Sequence, residues 1–217
     1  MSEANETERL ESTSSKGKSL EQSNADELID GDKNENNKNG IATNGQSECK
    51  TQETEKTKLT KEEKMFKFCA RGTPHHVRYM LKKDPSLISI CDTDNYTPLH
   101  RACYHNNVEV VKFLIENGAD TDARTVEGWT PLHCTARWEA MESAAVLLQS
   151  GANINVKSDG DVYPIHLAAT TKNRKLLELF LYHPDVDVNV KNGAGDTPLD
   201  IAYRSSPYYR LFDQIKY

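Results

Sequence analysis

An all-helical stack of short repeats is the fold class that this sequence predicts, on three observations. A tetrapeptide recurs as Thr97-Pro98-Leu99-His100, Thr130-Pro131-Leu132-His133, Tyr163-Pro164-Ile165-His166 and Thr197-Pro198-Leu199-Asp200, with steps of 33, 33 and 34 residues. A nearly continuous apolar run follows each of the first three copies, and Gly118 and Gly151 stand just past two of those runs in the same register. A fixed period of this length is what a solenoid produces, because each unit can bury its apolar face only against its neighbours.

The chain of 217 residues opens on a segment of a different kind. Residues 1–58 hold no Phe, Trp, Tyr or Pro, show no sustained apolar period, and carry 13 acidic residues against 8 basic ones, most of the net charge of −6. Such a composition cannot bury enough apolar surface to offset its ordering entropy, so an acidic disordered tail is expected there. A degenerate first unit follows over 59–91. Thr60 and Glu63 have capping-box spacing, Met65, Phe66 and Cys69 form a helical stripe up to Gly72, and Thr73-Pro74 opens a second helix that Asp84-Pro85 stops.

Three full units are expected over 92–124, 125–157 and 158–191, and a truncated one over 192–217. In each tetrapeptide the Thr side chain caps a helix and the next residue, Pro, lacks only a donor that a helix start leaves unused. Leu99, Ala102 and Cys103 share one face of that helix, and Leu132, Thr135 and Ala136 repeat the placement. The runs Val110–Ile115, Val146–Leu148 and Leu176–Leu181 suit second helices sandwiched between neighbouring units. Glycine at 118 and 151 ends such a helix in the left-handed conformation at no steric cost. Tyr163 in place of the capping Thr costs about 1 kcal/mol unless Ser158 or Asp159 substitutes. His183-Pro184-Asp185 makes the third loop the irregular one, and Ser206-Pro207 opens one more helix.

Gly118-Ala119-Asp120 and Gly151-Ala152-Asn153-Ile154-Asn155, set between the Thr-Pro-Leu-His motifs, make residues 61–217 resemble ankyrin repeats. Tyr96–Ala102, Gly128–His133 and Trp138 are similar to one branch of that family. This closer resemblance implies a small interaction protein, cytoplasmic or nuclear, with a part in gene regulation. The family resemblance also implies that His100, His133 and His166 hydrogen-bond within and between units, and that binding uses the concave side, formed by the hairpin loops and the exposed edge of each first helix.

On that mapping the candidate protein-binding residues are Tyr96, Tyr104, His105, Arg124, Trp129, Arg137, Trp138 and Lys157, with Thr93, Asp94, Val126, Glu127, Thr170 and Thr171 beside them. Tyr96 and Trp129 precede the capping Thr in adjacent units, while His105 and Trp138 occupy matching places at the ends of adjacent first helices. Exposed Trp, Tyr and Arg dominate binding energies. The competing reading is that these rings merely cover the hairpins or the next unit.

Other functions find no support in the sequence. No nucleophile with an adjacent base, no paired carboxylates and no metal spacing appear, so neither an enzyme nor a cofactor or metal site is expected. Gly17-Lys18-Ser19 lacks the glycine and the preceding strand of a phosphate loop. The acidic balance argues against direct nucleic-acid binding, and no apolar run approaches the roughly 20 residues that span a bilayer. Cys69, Cys103 and Cys134 read as small buried hydrophobes, and no disulfide is expected. The expectation is a monomeric adaptor or scaffold that binds a protein partner; the alternative is a regulatory subunit or inhibitor that occludes a partner enzyme.

Overall fold

The computed structural model describes residues 58–215, so the expected tail lies outside the described residues but for Lys58. Nine α-helices follow one another there: α1 (Lys61–Arg71), α2 (Pro74–Lys83), α3 (Pro98–Tyr104), α4 (Val108–Glu116), α5 (Pro131–Arg137), α6 (Met141–Gln149), α7 (Pro164–Thr170), α8 (Arg174–Leu181) and α9 (Pro198–Ser205). Two 3-10 turns, Pro85–Ile88 and Tyr209–Gln214, accompany them, with no strand among the described residues.

Each first helix starts where its sequence supplies a partner for the orphan amides. Glu63 Oε2 accepts from the Thr60 amide at 2.8 Å and Thr60 Oγ1 from the Glu63 amide at 3.2 Å, the reciprocal box expected for α1. At α2 the expectation is half met. Pro74 opens the helix, but the Thr73 hydroxyl donates back to the Phe68 carbonyl at 3.3 Å and caps nothing. The cap lost at Tyr163 is not replaced by Ser158 or Asp159, since Ser158 Oγ accepts from the Val162 amide at 3.2 Å, inside the hairpin.

The first helices α1, α3, α5, α7 and α9 line up side by side, and α2, α4, α6 and α8 form the second row. The first row packs more closely, because Ala102, Cys103, Ala136, Ala168, Ala169 and Ala202 are all buried there and keep the helices near one another. Larger side chains fill the layer between the rows: Val110, Val111 and Leu114 from α4, Leu147 and Leu148 from α6, and Leu176, Leu177, Phe180 and Leu181 from α8.

The second helices end as their glycines require. Gly118 and Gly151 take φ of 89° and 86°. Around Gly118 the Ala119 amide donates to the Leu114 carbonyl at 3.0 Å and the Gly118 amide to that of Ile115 at 2.9 Å, the paired closure of a left-handed helix end. Ala152 and Gly151 repeat it with Leu147 and Leu148. After α8 no glycine is present, and the His183 amide closes on Phe180 instead. The helix expected after Ser206-Pro207 is only the 3-10 turn Tyr209–Gln214, whose Leu211 and Phe212 are buried against the last layer.

Candidate functional site

A chain of buried imidazoles ties one layer to the next. His100 Nδ1 accepts from the Thr97 amide at 3.2 Å, which leaves the proton on Nε2 to donate to the Trp129 carbonyl at 3.1 Å. His133 does the same between Thr130 and Val162, at 3.1 and 3.0 Å. His166 accepts from Tyr163 at 3.1 Å and reaches the carbonyl of Val190 at 3.2 Å, while the backbone of Asp196, the position equivalent to Trp129 and Val162, also acts on it. Burial lowers the pKa of His100 and of His133 to about 4 and lowers that of His166, so all three are neutral at pH 7. At the fourth position Asp200 Oδ2 takes over the cap, accepting from the Thr197 amide at 2.9 Å, and these bonds hold its carboxyl below the usual range.

The hairpins between layers are stapled by a position at which the sequence reading named only Ser158, and for another role. Asp92 Oδ1 accepts from the Tyr96 amide, Thr125 Oγ1 from Trp129, Ser158 Oγ from Val162 and Asn192 Oδ1 from Asp196, at 2.9, 3.0, 3.2 and 2.9 Å. The signal was present as an Asp, Thr, Ser or Asn five residues before each capping position, the residue types whose side chains bond their own turn. Neighbouring hairpins are also joined through the backbone, Val126 to Asp94 at 3.0 Å and Asp159 to Glu127 at 3.1 Å.

The eight candidate residues fall into three settings. Tyr96 and Trp129 are half-buried over the imidazoles of their own repeats, with ring centroids 5.5 Å from His100 and 6.0 Å from His133. Tyr163 does the same at 5.6 Å from His166. Tyr96 is further covered by Arg101, 4.8 Å from its centroid, which Asp92 holds at 2.5 Å. Arg124 and Lys157 are exposed but committed to intrachain partners. Arg124 Nη2 donates to the Lys157 carbonyl at 3.0 Å and to Asp159 Oδ1 at 3.2 Å, and Lys157 Nζ pairs with Asp161 at 2.5 Å. Gly128, with φ of 75°, sits under this bridge; a Cβ there would come within 2.6 Å of Arg124 Nη2.

Tyr104, His105, Arg137 and Trp138 form the third setting, at the ends of α3 and α5. The Tyr104 and Trp138 rings meet at 4.5 Å and 47°, with His105 4.8 Å from Tyr104 and the Arg137 guanidinium 5.2 Å from the Trp138 centroid. Trp138 remains 47% exposed. Two residues of different repeats thus build one ring pair, whose Trp138 the core does not cover.

Comparison with known proteins agrees with this geometry. Models described as ankyrin repeats match residues 25–125, 65–158 and 147–202, well over half of the chain. The chain belongs to the ankyrin repeat family. It is 57% identical to human ankyrin repeat domain-containing protein 49 over 141 residues, which is 64% of this chain and 59% of that protein. The bovine protein of the same name is 55% identical over the same shares. The chain thus spans about 59% of the length of these relatives. A match to the serine/threonine-protein kinase VIK of Arabidopsis thaliana, 48% identical, involves 48 residues and 11% of that kinase.

Burial pushes the Cys69 and Cys134 thiols up to about 12 and raises Cys103, so these three stay protonated packing groups, while Cys91 is exposed. Among the described residues no group of three or more His, Cys, Asp or Glu could hold a metal ion, and no helix is long and apolar enough to cross a membrane. Thr171, expected on the binding face, is instead 5% exposed. Its hydroxyl donates to the Ala168 carbonyl at 2.8 Å, because the chain turns inward where α7 stops.

Proposed function

We propose that this chain is a non-catalytic adaptor that holds a partner protein on the inner side of its ankyrin stack. Tyr104, His105, Arg137 and Trp138 form the centre of the contact, and Tyr96, Trp129, Arg124 and Lys157 form its hairpin rim. The observation that carries this reading is the ring pair of half-buried Tyr104 and exposed Trp138. It joins two repeats and leaves Trp138 open to solvent, whereas Tyr96 and Trp129 cover imidazoles. Large aromatic side chains beside an arginine are the anchors that contribute most when an interface closes over them. The parsing into units at 59–91, 92–124, 125–157, 158–191 and 192–217 belongs to this proposal, as do a role in gene regulation and a nuclear or cytoplasmic setting.

The test is an affinity purification from cells with the full chain as bait, comparing wild type with Trp138→Ala and Trp129→Ala. Trp138→Ala is expected to reduce recovery of the specific partner by tenfold or more, on the order of 2 kcal/mol, with an unchanged melting temperature. Trp129→Ala is expected to lower the melting temperature. A Trp138→Ala bait that recovers the same proteins in the same amounts overturns the reading.

A further inference from the structure

Half of the arginines among the described residues are answered by an acid of the same chain. Arg101 is paired with Asp92, Arg124 with Asp159, Arg174 with Glu178 and Arg204 with Asp196. Arg71, Arg78, Arg137 and Arg210 are not; Arg78 and Arg210 lie over Phe113 and Tyr209, and Arg137 is the one that borders the Tyr104–Trp138 rings. It is exposed at the end of α5, meets no carboxylate among the described residues, and has the Trp138 ring as its contact. Glu139, two residues on, forms no ion pair with it, although its backbone turns left-handed there with φ of 56°. Glu142, the next acid along the chain, is held by the Asn106 side-chain amide at 2.7 Å, a bond that keeps its carboxyl below the usual range. On the neighbouring repeat the patch adds His105 and Tyr104, again with no acid.

We propose that this patch receives an acidic segment of the partner protein. An Asp or Glu carboxylate pairs with the Arg137 guanidinium, and an adjacent apolar side chain lies on the Trp138 and Tyr104 rings. The inference rests on the adaptor reading above and names the chemistry of its partner. A guanidinium lying over an indole face still offers its N–H edge, which matches a carboxylate in a two-point contact. The two rings supply the apolar area that such an ion pair lacks by itself, since an exposed pair alone contributes little. A cationic segment would meet Arg137 as a like charge. A phosphate backbone would need a track of basic groups, whereas Arg101, Arg124 and Lys157 are already neutralised within the chain.

A random peptide display library selected on the full-length protein tests this, followed by affinities of the recovered peptides. Peptides carrying Asp or Glu beside an aromatic or aliphatic residue are expected. Their binding should fall about tenfold with Arg137→Glu and weaken as salt is raised. Exchanging the peptide's acid for Lys should restore binding to Arg137→Glu but not to wild type. Both the Arg137→Glu and the Trp138→Ala proteins are checked for unchanged melting. Recovery of peptides that need Trp138 but carry no acid, or that are indifferent to Arg137→Glu, overturns the acidic chemistry and leaves the adaptor reading standing. Peptides whose binding ignores Trp138→Ala, or failure to recover any, overturns both.

Discussion

Two sets of aromatic rings lie along this stack, and the fold uses them in opposite ways. Tyr96, Trp129 and Tyr163 each lie over the imidazole of their own repeat, half-buried and attached to the hairpin. Tyr104 ends α3 and Trp138 follows α5; their rings pair, with Tyr104 half-buried and Trp138 exposed. Tyr and Trp make up both sets; what separates them is the polar framework underneath. Each hairpin ring sits above an imidazole that bridges two backbone segments, so it shields a bond from water. The helix-end rings sit above no such bond. One set therefore should matter to stability, and the other to binding.

The largest expected effect comes from acid. In the folded chain His100 and His133 titrate near 4, whereas the ordinary value is 6.5, so over this window the unfolded chain takes up protons that the folded chain refuses. Stability is then fully present above about pH 6.5 and falls as pH drops toward 4. Between pH 7 and 5 each ring should cost roughly 2 kcal/mol, and both act on the same stack. Urea unfolding at the two pH values measures this. An unchanged midpoint would mean that the imidazoles are not buried neutral bridges and would erase the contrast between the two sets.

Replacing one bridge comes next. His133→Ala leaves the Thr130 amide and the Val162 carbonyl without their side-chain partner and opens a cavity between layers. The expected loss is about 3 kcal/mol, from one or two unsatisfied buried groups together with the missing ring. His133 links the repeats on both sides, so unfolding should also lose cooperativity in a stack coupled only through neighbours. Calorimetry of the single variant reads both quantities. A loss no larger than that of an ordinary surface substitution would show that the aromatic covers, and not the imidazoles beneath them, carry the layer contacts.

Much of the fold was legible because each repeat spells its own caps. Thr97-Pro98 and Thr130-Pro131 announce helix starts, Gly118 and Gly151 announce helix ends, and the small residues of α3, α5 and α7 announce close packing. The misses share one cause. Thr73 looked like a cap and donates to Phe68 instead, Ser158 looked like a substitute cap and closes a hairpin, and Thr171 looked exposed and is buried. A hydroxyl has several backbone groups within reach, and its choice depends on the neighbouring unit, which a repeat read alone does not contain. The candidate site was legible as a list of residue types but not as three settings. Whether Arg124 pairs with Asp159, or Trp129 covers His133, depends on how adjacent layers register.

The smallest effect concerns the turn that presents Trp138. Asn106 and Glu139 occupy equivalent places, with φ of 54° and 56°. Asn tolerates that conformation, and Asn106 Oδ1 also accepts from the Ser143 amide and hydroxyl at 3.1 and 2.8 Å. Glu139 has neither advantage, and a left-handed non-glycine residue costs on the order of 1–2 kcal/mol. Glycine removes that penalty but gives back part of the gain as unfolded-state entropy, so Glu139→Gly should stabilise the stack by roughly 0.5–1 kcal/mol. Thermal melting measures the gain, and partner affinity measured on the same variant decides its meaning. A more stable protein that binds as before makes the turn a relic of the repeat pattern, whereas a more stable protein that binds less well makes its strain part of how Trp138 is held out for contact.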